Sequence, residues 1–169
     1  GHTYAIQYTC KTMADLEVSH LVKVLQAWKS VTHEAYNKGL EYVLIFENKG
    51  EITGVSNLHP HCQVYATDFV FNHTLTELES SAIFREKNAS NLFESILAAE
   101  QNEQIRIIAE NEHAIVFIPF FAKYAYEVML FPKVPAKTLI EIDEKTMEGI
   151  AAVYHQLIQK YDALFHQSF

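Results

Sequence analysis

The sequence predicts an α+β protein with a mainly antiparallel sheet and flanking helices. Three observations support this fold class. Two long segments carry apolar residues at helical spacing, short runs are rich in β-branched and aromatic residues, and these runs follow one another across short turns. Strands that follow one another without an intervening helix pair antiparallel, so the order favours α+β over a parallel sheet.

The sequence of the first half of the chain predicts one helix between short strands. Residues 3–9 form a strand, and a helix follows from about Leu16 to Lys38, where Gly39 is a natural stop. Residues 42–47 and 61–67 form two strands of a hairpin-like unit. The apolar stripe of the helix consists of Leu21, Val24, Leu25, Trp28 and Val31.

The second half predicts helices and then a strand meander. Residues 74–101 are helical with a break near residues 88–90, where Ser90 or Asn91 could cap the second piece. Three strands at residues 104–109, 113–119 and 125–131 favour an antiparallel meander that Pro132 and Pro135 end.

Asp143 is a candidate cap for a final helix from about Glu144 to Phe165. Its predicted buried stripe is Met147, Ile150, Tyr154, Leu157, Ile158, Tyr161 and Leu164. The repeated order of strands and then a helix is consistent with two weakly related halves. We divide them into residues 1–80, which bear the candidate site, and residues 81–169, the strand-rich half with the final helix.

Charge and cysteine content narrow the classes of function. The 169 residues carry a net charge of −8, which argues against broad nucleic-acid binding but leaves room for a small phosphorylated ligand. No apolar run reaches the roughly 18 residues of a membrane span. Cys10 and Cys62 favour free thiols in a reducing compartment, so we expect a cytoplasmic protein.

The candidate catalytic and ligand-binding residues lie mainly in three motifs. They are FENKG at residues 46–50, GVSN at residues 54–57 and HPHCQ at residues 59–63. The glycines of the first two motifs allow close backbone approach, and successive N–H groups in such a turn can bind an anion. In an extended segment, alternate residues share a face, so the third motif places three polar side chains in one row.

The row consists of His59, His61 and Gln63. Neutral imidazole is a good nucleophile toward phosphorus, and we expect His61 to carry a nucleotidyl group. Gln63 and Ser56 can donate hydrogen bonds to the non-bridging oxygens. His59 is free to bind a metal or to structure the loop. The alternative is a hairpin whose histidines are ordinary satisfied polar residues.

These motifs resemble the active-site segment of the galactose-1-phosphate uridylyltransferase family, within the histidine-triad superfamily. The segment ADLEVSHLVKVLQAWKSVTHE resembles the helix before the site, and ENEHAIVFIPFFAKYAYEVMLFPK and KYDALFHQSF resemble later parts. The resemblance therefore covers nearly the whole chain and implies a histidine-triad-like fold. It implies a ping-pong exchange of a uridylyl group between UDP-glucose and galactose-1-phosphate, giving UDP-galactose, in a homodimer.

The resemblance also implies roles for individual residues. His61 is the uridylylated nucleophile, and Gln63 and Ser56 bind the phosphoryl oxygens. Asn48 and Gly54 line the nucleotide-phosphate loop, together with Asn57.

Two metal sites are implied by the same resemblance. His59 is a zinc ligand, and Cys10 stands in the Tyr8-Thr9-Cys10 segment near the position where the family has a further histidine. Glu77 falls where the family has a carboxylate ligand of a second divalent metal, such as iron. His73 could join Glu77, whereas Glu77 on a solvated helical face is the alternative.

Family members are about twice this length, so we expect the chain to be a central piece of a longer enzyme. A nucleotide phosphorylase or hydrolase of the same superfamily is one alternative function. A catalytically silent nucleotide-binding or dimerisation module is another. The aromatic residues Phe117, Phe120, Phe121, Tyr124 and Tyr126 favour core or dimer interface over base stacking.

Overall fold

The computed structural model of the chain describes residues 1–7, 15–48 and 61–166, and it confirms the α+β class. In chain order the elements are β1 (His2–Gln7), α1 (Val18–Asn37), β2 (Tyr42–Phe46), β3 (His61–Thr67), α2 (Asn72–Asn88), α3 (Leu92–Glu103), β4 (Ile107–Glu110), β5 (Ala114–Phe117), β6 (Met129–Pro132), a 3-10 turn (Leu139–Glu141) and α4 (Glu144–Phe165). Within the described ranges, no helix is both long and apolar enough to cross a membrane.

The first sheet has the order β1-β3-β2, and both pairings are antiparallel. The strand β3 is central, so it makes backbone ladders with β1 and with β2. Its alternate residues Cys62, Val64 and Ala66 are fully buried. The predicted hairpin-like unit is therefore confirmed by the β2–β3 pairing, and β1 closes the other side of β3.

The second sheet is the predicted antiparallel meander, with the order β4-β5-β6. All four residues of β5 are buried, and α4 packs across this sheet. The core joins both sheets to α1 and α4. Its buried members include Leu21, Leu25, Cys62, Val116, Met147, Ile150, Ala151, Val153, Leu157, Ile158 and Tyr161.

Helix ends follow the predicted signals closely. Gly39 has φ +79°, the left-handed conformation that glycine adopts readily just after α1. Asn91, one of the two proposed caps, accepts hydrogen bonds from the N–H groups of Phe93 and Glu94. Asp143 accepts from the N–H of Thr146 at 2.8 Å and caps α4 as predicted.

Two strands, β4 and β6, begin at least three residues later than the sequence predicts. Gln104 has φ +58° and ends α3, so β4 cannot begin at residue 104 and starts at Ile107. The carboxylate of Glu127 accepts from the N–H groups of Lys123 and Tyr124 and so closes a turn. That turn occupies the first part of the predicted strand, and β6 starts only at Met129.

One member of the predicted α4 stripe is wrong. Leu164 is 54% exposed, whereas Tyr161, one turn earlier, is buried. The aromatic ring of Phe165 continues the buried face instead, because it contacts the rings of Tyr161 and Tyr126. The predicted division at residue 80 stays a prediction, and it falls inside α2.

Candidate active site

His61 is the first residue of the central strand β3. Its Cα partner is Gln7 of β1, while Gln63 lies between Ala5 of β1 and Phe46 of β2. His61 and Gln63 are half-buried, whereas the intervening Cys62 is fully buried. The two polar side chains therefore share one face of the sheet, as the alternation predicted, and the structure shows that this face points away from the core.

The neighbouring strand β2 runs directly into the first candidate loop. Phe46 ends β2 opposite Gln63, and its ring contacts Tyr65 edge-on at a centroid distance of 5.0 Å on the same face. Asn48 follows two residues later and is exposed. Asn48 thus lies just beyond the end of β2, two residues after Phe46, which pairs with Gln63.

Glu47, between Phe46 and Asn48, is half-buried and acts electrostatically on Tyr154 of α4. Burial, with a further contribution from the negative charge of Glu47, raises the pKa of Tyr154 to about 12. The Tyr154 hydroxyl therefore stays protonated at neutral pH. The residue before Asn48 is thus linked electrostatically to the core helix α4.

The opposite face of β3 is attached to α1. The indole Nε1 of Trp28 donates a hydrogen bond to Cys62 Sγ at 3.2 Å. Trp28 was predicted only as a core residue. A Trp on a core-facing stripe needs an acceptor for its N–H, and that requirement is the sequence signal that could have pointed to this contact.

Glu77 lies on α2 and is an exposed residue. Its Oε1 is 3.5 Å from His73 Nδ1, one turn earlier, and the side chains are 56% and 86% exposed. Tyr42 bonds Thr74 at 2.8 Å and ties the start of α2 to the end of the first sheet that lies away from His61. His73 and Glu77 are thus neighbours on one exposed turn of the helix, and their joint role as metal ligands stays a prediction.

Five predicted site residues lie outside the described part of the chain. They are Cys10, Gly54, Ser56, Asn57 and His59. Among residues 1–7, 15–48 and 61–166, no three His, Cys, Asp or Glu side chains converge in a way that could hold a metal ion. Cys62 is a free, buried thiol, as predicted for that residue.

The aromatic residues at the end of β5 and in its connection to β6 divide into a buried and an exposed group. Phe117 is fully buried and packs edge-on against Phe131, which confirms a core role. The exposed group consists of Phe120, Phe121, Tyr124 and Tyr126, with 40–78% of each residue accessible.

An antiparallel sheet whose central strand carries the histidine, covered by helices, defines a protein of the histidine-triad fold class. A solved structure described as a uridylyltransferase superposes with a TM-score of 0.85 and 29% identity, covering 92% of this chain and 50% of its own. Residues 8–70 match the family described as galactose-1-phosphate uridyl transferase, N-terminal domain, and residues 77–169 match its C-terminal domain. The chain belongs to the galactose-1-phosphate uridylyltransferase family.

Curated relatives agree with this assignment. Galactose-1-phosphate uridylyltransferase of Saccharomyces cerevisiae is 31% identical over 164 residues, and that of Haemophilus influenzae is 33% identical over 159 residues. Each alignment covers 94% of this chain but only 45% of the relative. The chain therefore spans a little under half the length of the curated relatives it matches.

Proposed function

We propose that the chain is the nucleophile-bearing part of a nucleotidyltransferase that exchanges a uridylyl group between UDP-glucose and galactose-1-phosphate. The observation that carries this proposal is the position of His61 and Gln63. They share the outward face of a central strand that is buried on its other side. A rigid strand of this kind holds a nucleophile and a hydrogen-bond donor in a fixed relation, which phosphoryl transfer requires.

In the first half-reaction, a neutral ring nitrogen of His61 attacks the uridylyl phosphorus of UDP-glucose. The bond from phosphorus to the oxygen of glucose-1-phosphate breaks, and glucose-1-phosphate leaves with that electron pair. In the second half-reaction, a phosphate oxygen of galactose-1-phosphate attacks the same phosphorus, and the imidazole leaves. UDP-galactose forms and His61 returns to its starting state.

The neighbouring residues bind and orient the transferred group. The side-chain amide of Gln63 donates to a non-bridging oxygen, where charge is redistributed in the transition state. Asn48, Gly54, Ser56 and Asn57 line the loop that receives the nucleotide phosphates. Asn48 is supported by its place two residues after Phe46, the strand partner of Gln63.

Metal binding is a separate proposal. The zinc ion would be held by His59 and Cys10, and Glu77 would be the carboxylate ligand of a second divalent metal such as iron. The contact of Glu77 with His73 supplies two donors on one exposed turn, which does not complete a metal site by itself. Less than about half an equivalent of zinc in the purified protein would reject the His59/Cys10 site.

A cytoplasmic homodimer is the state we propose for the protein. The free thiol of Cys62 suits a reducing compartment. Phe120, Phe121, Tyr124 and Tyr126 expose apolar rings of the kind that is enriched at interfaces between subunits. Sedimentation of wild type against Phe120→Ser/Tyr124→Ser tests this: a variant as dimeric as wild type excludes that surface.

Adduct formation tests the transferase directly. The protein is incubated with UDP-glucose, and its intact mass is followed with time. Wild type should gain the mass of one uridylyl group, and His61→Ala should gain none. His33→Ala removes an exposed histidine of α1 and should label like wild type. Gln63→Ala should label at least about tenfold more slowly, because one oxyanion donor is missing.

Discharge of the adduct separates the alternatives. Rapid release by galactose-1-phosphate, with slow release in buffer, is expected for the transferase. Release that is as fast in water or inorganic phosphate identifies the histidine-triad hydrolase or phosphorylase instead. If UDP-glucose binds and wild type gains no mass, the chain is the silent module and the transferase proposal is wrong.

A further inference from the structure

A hydrogen bond lies directly beneath the candidate nucleophile. Trp28 Nε1 donates to Cys62 Sγ at 3.2 Å, across 34 positions of sequence. Cys62 is fully buried, and Trp28 packs at the edge of the same core cluster. The bond therefore connects α1 to the residue that immediately follows His61.

Strand geometry makes this contact relevant to His61. Successive side chains of a strand point to opposite faces, so Cys62 points into the core while His61 points outward. The depth and tilt at which Cys62 sits consequently set the position of the His61 backbone and the direction of its Cα–Cβ bond.

Backbone ladders hold the middle of β3 on both sides, where Gln63 lies between Ala5 of β1 and Phe46 of β2. His61 lies opposite Gln7 of β1, two residues before Gln63 along the strand. The hydrogen bond from Trp28 to Cys62 is a side-chain anchor that restrains the strand directly next to His61.

The anchor is directional, unlike the packing of its neighbours. Val64 and Ala66 are also fully buried on the core face of β3, but their side chains are purely apolar. A hydrogen bond fixes an angle as well as a distance, and a half-buried indole N–H without an acceptor is unfavourable. Trp28 and Cys62 thus favour one position of the strand among several that apolar contact alone would tolerate.

We propose that Trp28 is a positioning residue for His61, acting through its hydrogen bond to Cys62. This inference rests on the proposed role of His61 as nucleophile. Trp28 does not touch the reacting atoms. It keeps His61 at the distance and angle from which in-line attack on the phosphorus proceeds, and an error of about 1 Å in such geometry can cost up to about a hundredfold in rate.

Substitutions that break the bond while keeping the rest of each side chain as similar as possible provide the kinetic test. Trp28→Phe removes the N–H but keeps an aromatic ring, and Cys62→Ala removes the acceptor. Each should lower the single-turnover rate of His61 uridylylation by about tenfold, with the concentration of UDP-glucose giving half-maximal rate and the midpoint of the pH–rate profile unchanged. The double variant should be no slower than Trp28→Phe, because both changes break one interaction.

Two further variants separate positioning from stability. Cys62→Ser keeps an acceptor and should recover most of the rate lost in Cys62→Ala. Val64→Ala removes buried volume from the same face of β3 without breaking a hydrogen bond. It should lower the melting temperature but leave the labelling rate within about twofold of wild type at a temperature where the protein is folded. Equal rate losses in Val64→Ala and Trp28→Phe would reject the proposal.

Nuclear magnetic resonance tests, independently of activity, whether the hydrogen bond from Trp28 to Cys62 positions His61. Trp28 is the only tryptophan, so its indole N–H gives one signal. Shifted or broadened amide signals of His61 and Gln63 in Trp28→Phe, but not in Val64→Ala, would support the anchor even if wild type forms no adduct. In that case the transferase proposal alone fails. Unchanged His61 signals in both Trp28→Phe and Cys62→Ala would overturn the anchor, whatever the enzyme does.

Discussion

Replacing Gly149 with alanine tests how α4 is held against the turn between β4 and β5. A Cβ at position 149 would lie 2.5 Å from His113 Cβ and 3.2 Å from Asn111 Oδ1. Non-bonded carbon atoms pack at about 3.5–4.0 Å, so helix and turn must separate by about 1 Å. Asn111 opposes this, because its Nδ2 donates to the Gly149 carbonyl at 2.8 Å while its Oδ1 accepts from the N–H groups of His113 and Ala114.

Two opposing effects set the magnitude for Gly149→Ala. Alanine is favoured over glycine inside a helix by about 1 kcal/mol. Overpacking a buried contact costs about 1–3 kcal/mol, and loss of the bond from Asn111 adds about 1 kcal/mol. We therefore expect the free energy of unfolding to fall by about 1–3 kcal/mol, which corresponds to roughly 2–4 °C in Tm for each kcal/mol in a chain of this size.

Urea denaturation followed by circular dichroism measures the change, and a second variant gives the control. His113→Gly removes the Cβ that Gly149→Ala would meet. In that background the same Gly149→Ala change should destabilise the protein by at least about 1 kcal/mol less than in wild type, because the 2.5 Å contact is gone and only the 3.2 Å contact with Asn111 Oδ1 still opposes the helix preference. Equal destabilisation in both backgrounds, or a stabilised single variant, would refute the steric reasoning.

Two other stability predictions concern the capping and ion-pair carboxylates. The backbone N–H of Thr146, and after it the Thr146 side chain, donate hydrogen bonds that lower the pKa of Asp143 below its ordinary value of 3.8. The ionised Asp143 therefore stabilises the folded protein above pH 3.8, and this stabilisation is lost as the pH falls through the lower pKa of the folded state. Asp143→Ala should therefore be less stable than wild type at pH 7, with a difference that shrinks in thermal melts below pH 4. Glu100→Gln removes the charge of a fully buried carboxylate that pairs with Arg106. It should lower Tm more than Glu103→Gln, which alters a half-exposed partner of the same guanidinium. Equal effects of the two substitutions on Tm would contradict this prediction.

Local signals predicted most of the fold correctly because they act within a few residues. Gly39 and Asp143 end and begin helices through their own backbone conformation and side chain, so the boundaries near them were right. The late start of β6 depends on Glu127 folding back onto the N–H groups of Lys123 and Tyr124. The turn that Glu127 closes competes with an extended strand, which the apolar composition of this segment equally allows. Composition alone therefore does not predict where β6 begins.

The candidate site also has features that the sequence predicted and features that depend on packing. The alternation of β3 predicted from sequence that His61 and Gln63 share a face, because the period of a strand is two. Sequence did not predict which partners would flank that strand, nor that Trp28 would donate to Cys62. Pairings between residues 34 positions apart depend on how α1 packs on the sheet.

By itself, the sequence determined the α+β class, the helix caps, the strand face that His61 shares with Gln63 and the family membership that its motifs indicate. These follow from short-range periodicity and from residue types whose chemistry is intrinsic. Only the tertiary structure decided that β3 is central, that Leu164 gives way to Phe165 on the buried face, and that Glu47 lies near Tyr154. Those outcomes depend on which surfaces close against each other when the chain buries its apolar area, and that is a property of the whole packed molecule.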